Sequence, residues 1–101
     1  MILYSITINI EKRVHDQWFE WMKTSYVPKI METGFFLDYK ILKLLTEEDA
    51  NSGITYSFQY YLKNLETLEQ FQIEAEPAFT EALYTKYRNQ FVEFTTILEV
   101  L

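Results

Sequence analysis

Residues 2 to 10 alternate, with Ile2, Tyr4, Ile6, Ile8 and Ile10 on one side and Leu3, Ser5, Thr7 and Asn9 on the other. A period of two predicts a strand whose even-numbered face is buried. From about Lys12 the period lengthens: Val14, Trp18, Trp21, Met22 and Ser25 share one helical stripe, and Asp16, Glu20, Lys23 and Thr24 take the other side. That predicts an amphipathic helix. Pro28 fits the first turn of a short second segment, PKIMET, and Gly34 fits its C′ position, where glycine accepts a left-handed conformation. A second strand is expected from about Phe35 to Leu45. A third covers Ile54 to Leu62, with Ile54, Tyr56, Phe58, Tyr60 and Leu62 opposed to Thr55, Ser57, Gln59 and Tyr61. Asn64 is the expected N-cap of the next helix, in which Leu65, Leu68, Phe71, Ala75, Ala78, Phe79 and Ala82 form one stripe. The stripe predicts a single helix to about Tyr87, kinked at Pro77, with a break at Glu76-Pro77 as the alternative. The last strand runs from Phe91 to Leu101 and carries Val92, Phe94, Leu98 and Val100 on one face.

The order β-α-β-β-α-β is two βαβ halves, and Ile2-Leu3-Tyr4-Ser5-Ile6 echoes Ile54-Thr55-Tyr56-Ser57-Phe58. Right-handed crossovers place both helices on one face of a four-stranded antiparallel sheet. The fold class is therefore α+β, ferredoxin-like, with the first and third strands central and residues 1–101 forming one domain. The other sheet face would carry Leu3, Ser5, Thr7, Thr55, Ser57, Gln59, Tyr61, Thr95 and Ile97, with Phe91 and Leu101 at its margins. A face this apolar is expected to meet something. A homodimer through the helix-free sheet face, closing a dimeric α/β barrel, is the simplest arrangement; a merely wetted sheet is the alternative.

Composition narrows the function classes. Nine basic residues stand against fifteen acidic ones, a formal charge of −6, and such a field repels phosphate backbones, so no nucleic acid is expected. Lys12-Arg13 reads as a solvated helix start. The absence of cysteine excludes disulfides, thiolate catalysis and cysteine-ligated metal centres. MILYSITINI has no basic leader and is too short to span a bilayer, so no membrane partner and a cytoplasmic location are expected. The acidic stretch from Thr46 to Gly53 reads as a hairpin tip, because it lacks the ligand spacing of a calcium loop.

VHDQWFEWM, SYVPKIMETGFF, ITYSFQYY and FVEFTTILEVL together resemble a family of short bacterial proteins known as a domain of unknown function, itself similar to the dimeric α/β-barrel superfamily that includes antibiotic-biosynthesis and haem-degrading monooxygenases. The resemblance implies the fold and a dimer. Tyr26-Val27-Pro28 followed by Gly34-Phe35 is similar to a His-x-Pro and Gly-Phe pattern in that group, with Tyr26 in the place of the histidine. A phenol with a pKa of about 10 does not replace an imidazole near neutral pH. Haem-degrading members use a histidine on the second long helix, where this chain has none between Asn64 and Tyr87. The resemblance implies no cofactor here and transfers no activity.

His15 is the chain's only histidine and lies at the margin of the first helix's apolar face, with Glu11 one turn before it. One His–Glu pair is too few ligands for a metal, so His15 reads either as a structural residue or as a general base. Trp18 and Trp21 are expected to face the sheet, where Tyr4, Tyr56, Phe58, Tyr60 and Phe94 would also point. Their first role is packing. The excess of aromatic polar tips also fits a pocket for a small apolar or aromatic molecule between the first helix and the sheet. Its candidate lining is His15, Trp18, Trp21, Tyr26, Tyr56 and Tyr60, with His15 the only candidate catalytic residue. Glu93 and Glu99, about 20 Å apart along one strand face, are expected at the solvated rim. No complete catalytic set is present. The alternatives to a ligand-binding dimer are a cofactor-independent oxygenase or isomerase using His15 as base, and a protein-interaction module using the open sheet face.

Overall fold

The computed structural model describes residues 1–46 and 53–101, so the expected hairpin tip lies outside the described residues except for Thr46 and Gly53. The chain forms β1 (Ile2–Ile10), a 3₁₀ turn (Lys12–Val14), α1 (His15–Trp21), a π-helical turn (Met22–Tyr26), α2 (Val27–Glu32), β2 (Asp38–Lys43), β3 (Ile54–Leu62), α3 (Leu65–Glu74), α4 (Glu76–Tyr87) and β4 (Phe91–Glu99). The strands make one antiparallel sheet in the order β2-β3-β1-β4. As the alternation in β1 and β3 requires, these two strands are central, and their apolar faces match: Ile8 lies opposite Tyr56, Ile6 opposite Phe58, and Tyr4 opposite Tyr60. The helices cover that face. Trp18, Ile8, Phe58, Tyr60, Leu68 and Leu83 are all at most 2% exposed, and burying each large side chain contributes about 1.5–3 kcal/mol.

β4 turns the other way from the expectation. Its pairing with β1 sets Glu93, Thr95 and Ile97 beside Ile8, Ile6 and Tyr4, and sets Val92, Phe94 and Leu98 beside Asn9, Thr7 and Leu3. Cross-strand partners share a face. Phe94 and its apolar neighbours Val92 and Leu98 therefore point away from the helices, while Thr95 and Ile97, expected on the open face, point toward them. The helix-free face gains apolar area from this reversal: Val92 is 69%, Phe94 64% and Leu98 45% exposed.

The first helix does not end before Pro28. The Val27 N–H bonds to the Met22 carbonyl, five residues back, and Tyr26 and Val27 keep helical dihedrals. Proline has no N–H and crowds the carbonyl four residues before it. The wider π-turn just ahead of Pro28 absorbs that interruption, so His15–Glu32 is one helical rod. The extra residue also rotates the helical phase. Trp21, the last residue of α1, packs on Tyr26 and on Tyr87 of α4, at 5.2 and 5.7 Å between ring centroids. Gly34, with φ 82°, closes the rod in the left-handed conformation expected of it.

The Thr67 N–H donates to Asn64 Oδ1 at 2.9 Å, the expected N-cap of α3. One non-helical residue, Ala75 (φ −122°, ψ −41°), separates α3 from α4, although its N–H still reaches the Phe71 carbonyl. The kink resets the buried stripe from Leu68 and Phe71 to Leu83 and Tyr87, leaving Leu65, Ala78 and Ala82 exposed. Among the described residues no helix is long and apolar enough to cross a membrane.

Candidate functional site

A cavity of about 90 Å³ lies between the sheet and the helices. β1 supplies Tyr4, Ile6 and Ile8, β3 supplies Phe58 and Tyr60, and β4 supplies Glu93 and Thr95. The π-turn contributes Met22 and Tyr26 at its two ends, α3 contributes Phe71, and α4 contributes Glu76, Phe79, Thr80 and Leu83. Apolar walls with a few convergent polar groups are the usual make-up of a small-molecule site.

Each polar group has a local cause. Pro77 sits in the first turn of α4, where a missing N–H costs nothing, and this fixes Glu76 at the helix N-terminus. Negative charge is stabilised there by the helix dipole. The Tyr4 hydroxyl donates to Glu76 Oε2 at 2.5 Å. Glu93 enters from β4 opposite Ile8 and accepts from the Tyr84 hydroxyl at 3.3 Å. Burial pushes the Glu93 carboxyl above its ordinary range; the Tyr84 bond opposes the shift and the Glu76 charge adds to it. Burial also raises the Tyr4 phenol, reinforced by the bond to Glu76 and by its charge. Tyr26 is raised by burial and then by the charges of Glu93 and Glu76, and Tyr60 by burial and its phenolic neighbours. All three phenols therefore stay protonated and neutral at physiological pH, each able to donate one hydrogen bond and accept others.

The candidate residues named from the sequence divide into two groups. Tyr26 and Tyr60 line the cavity. His15, Trp18 and Tyr56 come together beside it without lining it: His15 stacks on Tyr56 and on Phe19 at 5.6 and 5.7 Å, and Trp18 meets Tyr56 at 5.7 Å. The His15 ring bridges Asp16 Oδ1 through Nδ1 and the Tyr56 hydroxyl through Nε2, each at 2.8 Å. With Nδ1 donating to the carboxylate, a neutral His15 accepts from Tyr56 at Nε2. Both ring nitrogens are engaged, as in a packed structural histidine. Glu11 pairs with Arg13 at 2.8 Å instead. Trp21 stands behind Tyr26, with the Lys86 ammonium 5.3 Å from its ring centroid.

Sequence reasoning missed Glu76, and it placed Glu93 at a solvated rim when its side chain borders the cavity. The Glu-Pro pair at a helix start was the available signal for Glu76. Among the described residues no group of three or more His, Cys, Asp or Glu side chains could hold a metal ion.

The position of Glu93 has a consequence for stability. Its folded pKa lies above the unfolded value near 4.5, so between the two the folded state binds more protons than the unfolded chain. Stability then falls as pH rises through that window, and the full penalty persists above it. Glu93→Gln is therefore expected to raise the melting temperature at pH 7 and to leave it nearly unchanged at pH 4. Thermal melts of both proteins at the two pH values check this, and an equal shift at both would locate the effect elsewhere.

A four-stranded antiparallel sheet in the order β2-β3-β1-β4 with helices on one face defines an α+β protein of the ferredoxin-like type. Over its whole length, residues 1–101, the chain belongs to the family described as a domain of unknown function, DUF4286. No curated protein sequence matches it. Among solved structures it is similar to an ethyl tert-butyl ether (ethd) family protein from Bacillus halodurans, with a TM-score of 0.74, 14% identity and 100% of both chains covered. A dimeric ferredoxin-like protein from an uncultured marine organism gives a TM-score of 0.71 at 12% identity, covering 99% of this chain and 94% of that one. An antibiotic biosynthesis monooxygenase gives 0.64 at 12% identity, covering 100% and 99%. At these identities the likeness establishes the fold alone.

Proposed function

We propose that the protein is a homodimer packed through its helix-free sheet faces, each protomer binding a small apolar or aromatic molecule between the first helix and the sheet. The observation that carries the ligand reading is the cavity itself, apolar on most sides and edged by hydroxyls and carboxylates. At about 90 Å³ it is far below the roughly 300–1,000 Å³ of pockets for drug-sized molecules, which limits the ligand to about one ring or a short branched chain.

Both tryptophans report on the wall, Trp21 through Tyr26 and Trp18 through Phe58 at 5.8 Å. Titration with phenols, quinones and related single-ring compounds is expected to change tryptophan emission. At a hundredfold excess over Kd the gain is about 2.7 kcal/mol, roughly 10–20 °C in melting temperature. A panel that moves neither quantity counts against the reading.

The dimer is supported by the exposed Val92, Phe94 and Leu98, which share one face of β4 with Thr96 between the last two, and of which Leu98 lies beside Leu3 on β1. Phe94→Glu is expected to give a monomer in sedimentation. A monomeric wild type would favour a heterologous partner on this face.

The reading of His15 as base in an oxygenase or isomerase lacks a matching cavity contact. Glu93, which borders the cavity, is the better-placed proton acceptor.

A further inference from the structure

Glu76 and Glu93 border the cavity from α4 and β4, and among the described residues no basic side chain lines it. Tyr26 and Tyr60 are 9% and 2% exposed and line the same space. The remaining wall is rich in aromatic faces, including Phe36, Phe71 and Phe79.

These features select a ligand by charge. A neutral hydrocarbon would leave two partly desolvated carboxylates, each held by one phenol, without a counter-ion, which is costly. An anion would meet like charge. A small cation with N–H groups would donate to the carboxylates and to the phenol oxygens while its charge lay against aromatic rings. We propose that the cavity binds a small organic ammonium ion, a primary amine bearing a compact apolar group, with Glu93 and Glu76 as its counter-ions and Tyr26 and Tyr60 as acceptors. This assignment rests on the cavity being a ligand site. Burial disfavours the charge on Glu93, and an ammonium partner supplies what that charge lacks. Glu76 and Thr80 also border an open surface hollow with Glu81 and Tyr84, so the approach beside the α3–α4 kink is acidic. With a chain charge of −6, cations are drawn toward it.

The test is calorimetric titration of the full chain with matched pairs, isobutylamine against isobutanol and benzylamine against benzyl alcohol. Each amine is expected to bind at least about tenfold tighter than its alcohol, as loss of a charged hydrogen-bond partner commonly costs that much. Glu93→Gln and Glu76→Gln, taken singly, are each expected to weaken the amine about tenfold and the alcohol by clearly less, because only the amine loses a counter-ion. Alcohols binding as tightly as amines would overturn the ammonium assignment while leaving the cavity a ligand site. Binding of neither member of a pair would overturn both. Amine affinity unchanged in both variants would place the cation elsewhere and overturn the assignment. The comparison in the unaltered protein is decisive even if a variant fails to fold.

Discussion

Trp18→Ala is expected to remove about 3–5 kcal/mol of folding stability, the range found when a large buried aromatic side chain is truncated. Trp18 is 0% exposed. Its ring meets Phe58 edge-on at 5.8 Å and lies against Tyr56, Phe19 and His15 at 5.7, 6.2 and 6.4 Å. Removing it empties the junction between α1 and β3, where rigid rings cannot collapse into the space. A domain of this size has roughly 5–15 kcal/mol in total, so the variant should be close to unfolding at 37 °C. Trp18→Phe should lose less than half as much. It keeps most of the packing and also removes Nε1, a buried donor with no partner among the described residues, whose desolvation weakens the native state. Urea denaturation at one protein concentration, needed because the stability of the proposed dimer would depend on concentration, measures both. A loss below about 1 kcal/mol for the Ala variant would contradict the packing argument. Equal losses for Ala and Phe would show that the indole's shape or N–H matters more than its bulk.

The same packing explains which parts of the fold were legible in the chain. β1 and β3 were readable because each has one apolar and one polar face, and only one register of pairing buries the apolar one. β4 was misread because both of its faces carry large apolar residues. Val92, Phe94 and Leu98 make the outward face the more hydrophobic, while the inward face holds Glu93 and Thr95 at the cavity. An apolar count assigns such a strand backwards whenever the outer face carries the larger apolar side chains and the inner one supplies polar groups to a cavity.

The candidate site was hidden for related reasons. A straight helical wheel cannot anticipate the phase change at the π-turn, whose last residue Tyr26 reaches the cavity, or the change at Ala75, after which Glu76 borders it. Both changes sit beside prolines, Pro28 and Pro77, and the chemistry of the missing N–H is visible in sequence even though its geometric result is not. Tyr60 was found because a buried phenol needs a polar surrounding, and Tyr26 because it stands where the similar His-x-Pro pattern has its histidine. His15 was singled out as a rare residue in an aromatic run. Its two nitrogens are instead taken up by Asp16 and Tyr56, so the functional question moves from the histidine to two carboxylates that composition alone made unremarkable in an acidic chain.

Gly53→Ala is expected to cost about 2–4 kcal/mol, and Gly34→Ala only about 1 kcal/mol. The two glycines share a backbone conformation, with φ of 86° and 82°, so both substitutions incur the left-handed penalty of about 1–2 kcal/mol. Both also gain roughly 0.4–1 kcal/mol from a less flexible unfolded chain. Their surroundings separate them. A methyl group on Gly34 meets nothing within 4 Å, whereas one on Gly53 would fall 2.6 Å from Asn9 Oδ1 and 2.6 Å from the Ile10 carbonyl oxygen. Neither neighbour yields easily. Asn9 is held by its Nδ2 donation to Thr55 Oγ1 at 2.9 Å, and Ile10 is paired with Ile54 in the central ladder. Relief therefore requires moving the start of β3 away from the end of β1. Because β1 and β3 carry the inner wall of the cavity, the displacement should reach the site, and Gly53→Ala should weaken ligand binding where Gly34→Ala does not. Paired denaturation curves and ligand titrations on the two variants distinguish backbone strain, common to both, from steric displacement, confined to Gly53. Equal stability losses would show that the close approach of Gly53 to β1 relaxes at no cost.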